Sequence, residues 1–215
     1  MSDEIKYKKK ELQKLIADDN ERELCFLMLY LVYEEEAYSN LVIKKADKIA
    51  SEEGKKIDFA RAMLYGTLTY SFTIDFLIRH LTKEEVGDMD PVSRTVIRMA
   101  VWQIQFGNNI PAYAAEDSAV EITKKYNHKA SGYVNAVLRK FAEAPEAKRY
   151  LDQFKPGIKV ALKPEIYGIL KKDYGKQEAY DIGKAFLEPM NLTVRFDAHK
   201  VDQETLIKEL KNEGI

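Results

Sequence analysis

The chain has 215 residues, 46% hydrophobic and 32% charged, an ordinary globular composition with room for one large domain and a smaller companion. Its 34 Lys+Arg and 35 Asp+Glu leave a net charge of -1, which excludes a global pull toward nucleic acid or acidic membrane and confines any such attraction to a local patch. The lone Cys25 excludes an internal disulfide and any cysteine-ligated zinc or iron–sulfur centre. The longest apolar run, Cys25 to Tyr33, is too short to span a bilayer, and Met-Ser-Asp-Glu lacks the apolar core of a signal peptide. A cytoplasmic location and no membrane partner are expected.

Residues 1–19, with Lys6 and Lys8 to Lys10, read as a basic N-terminal tail. Asn20 is then the N-cap of a helix whose stripe is Leu24, Leu27, Met28, Leu31 and Val32. Ser39 or Asn40 starts a second helix, carrying Leu41, Ile43 and Ala46. A third is expected from near Asp58 to His80, with Ala60, Leu64, Leu68, Ile74 and Ile78 inward. Thr82 and Glu85 have capping-box spacing and predict a short helical turn. Asp90-Pro91 reads as N-cap and first residue of a helix with Ile97, Ala100, Val101 and Ile104 on its apolar face. Gly107-Asn108-Asn109 stops it. Ile110-Pro111 opens the next helix, to about Tyr126, and a last one holds Val134, Val137, Leu138 and Phe141. Six or seven amphipathic helices with short connections predict a helical bundle.

Beyond Ala144 the texture changes, and four of the six prolines lie there (Pro145, Pro156, Pro164 and Pro189). A boundary is expected between 145 and 163, with short helices around Glu165–Lys172 and Gln177–Leu187. The alternation Leu192-Thr193-Val194-Arg195-Phe196 predicts a strand. Asp202 caps a final helix carrying Leu206, Ile207 and Leu210, and Gly214 stands where a terminating glycine would. A strand and a helix without a second strand read as the opening of an α+β unit, so the chain is expected to be a fragment of a longer protein.

Catalytic signals are weak. The ten glycines form no phosphate-cradling turn. The three histidines, His80, His128 and His199, have no metal-ligand spacing. Cys25, between Leu24 and Phe26, reads as an inert buried thiol. Glu34-Glu35-Glu36 reads as a solvated run at a helix end.

Local charge is uneven. Residues 120–150 carry seven basic side chains, Lys124, Lys125, Lys129, Arg139, Lys140, Lys148 and Arg149. Against them stand three acids, Glu121, Glu143 and Glu146, so the local net charge is +4. The pattern suits a phosphate-backbone footprint and equally a solvated helical face. Residues 17–40 are acidic apart from Arg22. Arg94, Arg98 and Trp102 share one helix face, as a base-stacking stripe or an interhelical cation–π contact, the second being favoured. Asn135 and Arg139 are i, i+4 partners.

The ordered segments Ala62-Met63-Leu64-Tyr65-Gly66-Thr67-Leu68, Arg98-Met99-Ala100-Val101-Trp102-Gln103-Ile104, Ile110-Pro111, Ala119-Val120-Glu121 and Tyr133-Val134-Asn135-Ala136-Val137-Leu138-Arg139 together resemble the NusB-like helical domain. The length after Asn135, with Val194-Arg195-Phe196-Asp197, is similar to the N-terminal region of RsmB/Sun-type small-subunit ribosomal RNA cytosine-C5 methyltransferases. Three positions depart from the family: the first bundle helix holds only Arg22 where NusB proteins are arginine-rich, Ser118 replaces a usual glutamate, and Asp197 a usual asparagine.

The resemblance implies a mainly all-α fold, a NusB-like bundle followed by short helices and a partial α+β segment. It implies an RNA-binding domain over 20–144, a helical linker over 145–189 and the start of a truncated α+β subdomain over 190–215. The parent enzyme would use S-adenosylmethionine, with no cofactor or catalytic residue in this fragment. The expected partner is ribosomal RNA, held by Lys124, Lys125, Lys129, Arg139 and Lys140, with Arg22 and Arg195 as further contacts. The alternatives are a protein–protein interaction module contacting a partner or the missing catalytic domain, and a stand-alone NusB-like transcription antitermination factor.

Overall fold

Two helices with little polar surface organise the molecule. In the computed structural model, which describes residues 3–142, 154–188, 193 and 195–213, every residue from Glu23 to Leu29 is buried. A helix apolar on nearly all sides must sit inside others. This helix, α2 (Glu21–Glu34), packs against α1 (Asp3–Ala17), α3 (Ser39–Glu52), α4 (Asp58–Thr69), α6 (Pro91–Gln105) and α7 (Ala112–Tyr126). The second central helix, α6, packs on α2, α4, α5 (Ser71–Thr82), α7 and α8 (Ser131–Ala142). The bundle is all-helical, and among the described residues no strand occurs.

Local chemistry starts the helices where the sequence indicates. The Asn20 side chain accepts from the Glu23 backbone N–H at 3.2 Å, and Asp90 accepts from that of Ser93 at 3.1 Å ahead of Pro91. The turn expected after Thr82 is a 3₁₀ helix, Val86–Asp88, entered through Lys83 at φ 65. A second 3₁₀ turn, His128–Ala130, joins α7 to α8.

Three features differ from the expectations. The segment expected as a tail is α1, whose Leu12, Leu15 and Ile16 are buried; the lysines ahead of them hide this i, i+3, i+4 stripe in the sequence. The long helix expected from Asp58 to His80 is two helices divided at Tyr70, which ends α4 and begins α5. No glycine or proline marks that break. The Tyr70 ring is held on Phe106 with centroids 4.2 Å apart, a contact made by distant chain. Leu41, placed on an apolar face, is 60% exposed, while Val42 and Ile43 turn inward.

After the bundle come α9 (Pro156–Lys159), α10 (Pro164–Tyr174), α11 (Lys176–Ala185) and α12 (Gln203–Asn212). The segment α9–α11 has its own small interior of Ile158, Val160 and Ala179. It is fastened to α5: the buried Thr73 hydroxyl donates to the Ile158 carbonyl at 2.6 Å, and Phe154 meets Phe76 edge-on at 4.8 Å. Asp202 caps α12 by accepting from the Thr205 N–H at 2.9 Å, and no residue of α12 is buried. Of the expected strand, Leu192 and Val194 lie outside the described residues, as does Gly214.

Candidate nucleic-acid interface

Some of the basic residues singled out from the sequence are consumed by the fold, and others stand outward. Arg22 is consumed. Its Nε donates to Gln103 Oε1 at 2.9 Å and its guanidinium lies 5.2 Å from the Phe59 ring centroid, tying α2 to α6 and α4. Lys125 pairs with Glu23, a carboxylate only 9% exposed. That carboxylate also accepts from the Asn20 amide at 2.9 Å, and the Tyr126 hydroxyl lies between it, at 2.9 Å, and Glu11, at 2.7 Å. A buried charge persists only when supplied with donors in this way, so Lys125 has a structural task.

Lys124, Lys129, Arg139 and Lys140 are exposed. Lys124 stands in the last turn of α7, Lys129 in the 3₁₀ turn, and Arg139 and Lys140 in the last turn of α8. The inward face of α8 is Val134, Val137, Leu138 and Phe141. Its outward rows, at i, i+4 and i+8, are Ser131–Asn135–Arg139 and Gly132–Ala136–Lys140, each about 12 Å long at ~1.5 Å rise per residue. Arg195 is exposed in the irregular stretch ahead of α12. Lys148 and Arg149 lie outside the described residues.

Between α7 and α8 runs an open groove of about 410 Å3, lined by Asp117, Glu121, Lys124, Ser131, Gly132 and Asn135. Asn135 is exposed here. The sequence points to it within the Val-Asn-Ala-Val-Leu-Arg block and as the i, i+4 partner of Arg139. Asp117 carried no signal of its own, because exposed acids on helices are common, and Glu121 entered only through the Ala119-Val120-Glu121 segment.

The Arg94–Arg98–Trp102 face is structural. Arg98 is held in a fork by Asp75 at 2.7 and 2.8 Å and lies 4.5 Å from the Tyr33 ring centroid. Arg94 pairs with Glu34 and donates to the carbonyls of Gly87 and Met89, each at 3.2 Å. Glu34, expected in a solvated run, is therefore an internal partner whose side chain is 8% exposed. Trp102 lies against Gly66, where an added Cβ would stand 2.1 Å from the indole.

Burial, then the nearby Glu21 charge, pushes the Cys25 thiol well above its usual range, which suits an inert thiol rather than a nucleophile. Among the described residues no three His, Cys, Asp or Glu converge to hold a metal ion, and no helix is long and apolar enough to cross a membrane. The groove lining does not suit S-adenosylmethionine: Val120 is its one apolar side chain larger than a methyl, among charged and polar neighbours, and no aromatic ring is present to stack an adenine. A second hollow, beside Phe72, Phe76 and Val86, measures about 160 Å3, below the roughly 300 Å3 of a typical ligand site.

Fold and site together define an all-helical bundle with two buried central helices and a polar, partly basic edge on its last helical pair. A family model described as NusB family matches residues 19–143, and the chain belongs to the NusB family. It is similar to the probable ribosomal RNA small subunit methyltransferase B of Synechocystis sp., 25% identical over 193 residues, covering 88% of this chain and 43% of the relative. The protein of the same description from Bacillus subtilis (strain 168) is 26% identical over 200 residues, covering 90% of this chain and 44% of the relative. The chain thus spans less than half the length of these two relatives. The transcription antitermination protein NusB of Pelotomaculum thermopropionicum is 36% identical over 107 residues, covering 49% of this chain and 74% of that protein. No solved structure matches the chain.

Proposed function

We propose that this chain binds and positions RNA for methylation of ribosomal RNA in the cytoplasm. It would act as the N-terminal region of an S-adenosylmethionine-dependent cytosine-C5 methyltransferase whose catalytic chemistry lies outside these residues. The observation that carries this reading is the outward placement of Lys124, Lys129, Arg139 and Lys140 along the α7–α8 edge, within the segment that matches the family. The names of the two long relatives, which cover most of this chain, support the ribosomal RNA substrate. Contacts of this type hold phosphates and set orientation without reading sequence. Arg195 is a further phosphate contact in this reading, whereas Lys125 and Arg22 contribute mainly by holding the bundle together.

A second reading, a protein-interaction module or antitermination-type factor, is favoured by one observation. Ile166, Ile169, Tyr174 and Phe186 are each about half exposed or more on and beside α10 and α11, as protein-contacting surfaces often are.

The test is a fluorescence-anisotropy titration of the chain with a ribosomal RNA hairpin at several salt concentrations. Phosphate binding should weaken with salt at a slope of roughly −0.7 per neutralised phosphate on single strands. Lys129→Ala and Lys140→Ala should each reduce that slope by roughly 0.7, and Lys125→Ala should lower stability more than the slope. Absence of salt-sensitive binding would move the assignment to the protein-interaction reading.

A further inference from the structure

Most cations of the bundle interior are matched by a named partner: Arg22 by Gln103, Arg94 by Glu34, Arg98 by Asp75 and Lys125 by Glu23. The α7–α8 groove is different. Asp117, Glu121 and Lys124 from α7 and Asn135 from α8 line one hollow, and none of the four side chains has a hydrogen bond or ion pair among the described residues. Asp117, Glu121 and Lys124 fall at i, i+4 and i+7, one outward face of α7, opposite the buried Ala115, Ala119, Ile122 and Thr123. The Ser131 hydroxyl donates to the His128 carbonyl at 2.9 Å, so within the groove it can serve only as an acceptor. At Gly132 an added Cβ would meet nothing within 4 Å, so a ligand can approach the α8 backbone closely.

The charges in the groove determine what suits it. Two carboxylates face one ammonium, so the formal charge inside is −1 and a phosphate is disfavoured there. The favoured guest has hydroxyl hydrogens for the carboxylates and an oxygen for the Asn135 amide and the Lys124 ammonium. Outside the groove the sign reverses, with Lys129 in the connecting turn and Arg139 and Lys140 one helical turn beyond Asn135. A polymer that alternates phosphates with donor-bearing sugars matches this alternation of sites. RNA is such a polymer and DNA is not, because the 2′-hydroxyl is both donor and acceptor.

We propose that the α7–α8 groove is a ribose-reading site. Asp117 and Glu121 accept from 2′-hydroxyls of a single-stranded RNA segment, Asn135 and Lys124 donate to its oxygens, and Lys129 and Lys140 hold the flanking phosphates. This rests on the RNA-binding reading above and adds that the chain distinguishes RNA from DNA at this groove.

The full chain is titrated with three probes: a short single-stranded RNA of mixed sequence, DNA of the same sequence, and that RNA with its 2′-hydroxyls methylated. The RNA is expected to bind about tenfold more tightly than either other probe, the effect of one or two added hydrogen bonds. Asp117→Ala with Glu121→Ala, and separately Asn135→Ala, should bring the ratio to about one. The double variant removes two negative charges, so it should leave DNA binding as strong or stronger while RNA loses its advantage. All three side chains are exposed, and circular dichroism checks that the variants fold. A native ratio near one, a ratio that survives the substitutions, or an equal strengthening of all three probes would overturn the ribose-reading site while leaving RNA binding intact. Failure to bind any probe in a salt-sensitive way would overturn both.

Discussion

Glu23 holds a buried negative charge in the first turn of α2, and it remains there because the Asn20 amide and the Lys125 ammonium reach it, with the Tyr126 hydroxyl shared between Glu23 and Glu11. Removing one of them leaves a buried carboxylate short of a partner. Lys125→Ala is expected to lower unfolding stability by about 1–2 kcal/mol, less than for a fully buried pair because the lysine is half exposed, as read by urea denaturation. Asp90 is governed by the same balance in a more exposed place. Burial works against its charge, but hydrogen bonds from Ser93, Asn127 and Val92 outweigh it and hold the carboxyl below its usual value. Because the folded value lies below the unfolded one, the stabilisation is present above about pH 4 and is lost as pH falls through the folded value. Asp90→Ala should cost about 1 kcal/mol near neutral pH and flatten the acid side of the stability profile; thermal melts with an unchanged acid limb would refute this. Such caps were legible in the sequence because donor and acceptor lie three residues apart. The partners of Arg22 and Lys125 were not, since Gln103 and Glu23 lie 81 and 102 residues away. Both cations therefore looked as available for RNA as Lys124 or Lys140.

Among the elements, the seam between α4 and α6 closes on a glycine. Gly66 is placed so that any side chain would enter the Trp102 ring. Gly66→Ala is expected to cost about 1–3 kcal/mol through overpacking, seen as a lower denaturant midpoint at unchanged slope. The helices of this region were legible from their apolar stripes, but the division at Tyr70 was not. A stacking contact with Phe106, rather than a local breaker, turns the chain there. The first helix was obscured differently: its three buried residues follow a lysine run whose composition suggested a tail. On α8 the inward stripe could be read directly, whereas the outward Asn135 acquires meaning only once α7 brings Asp117, Glu121 and Lys124 to the same groove.

The whole molecule consists of a bundle and a smaller helical segment fastened to it at α5. The fastening uses few groups, chiefly the Thr73 hydroxyl on the Ile158 carbonyl and the Phe76–Phe154 contact. Thr73→Val combined with Phe154→Ala should release α9–α11 to limited proteolysis while leaving the cooperative melting of the bundle nearly unchanged. Cleavage at the native rate would show that other contacts hold the segment. The α7–α8 groove belongs to the bundle alone, so the same double variant should leave the ratio of RNA to DNA affinity unaltered.

The contact between Trp102 and Gly66 also provides an optical probe. The chain contains one tryptophan, and its indole N–H is buried without a hydrogen-bond partner among the described residues. Emission should therefore be blue-shifted in the native protein and move to the red when α4 parts from α6. The helices beyond residue 154 contain no tryptophan and their melting is silent at that wavelength, although it contributes to the far-ultraviolet dichroism. Fluorescence and dichroism followed through one denaturation thus report on different parts of the chain, and any separation between the two curves measures how independently the smaller segment unfolds.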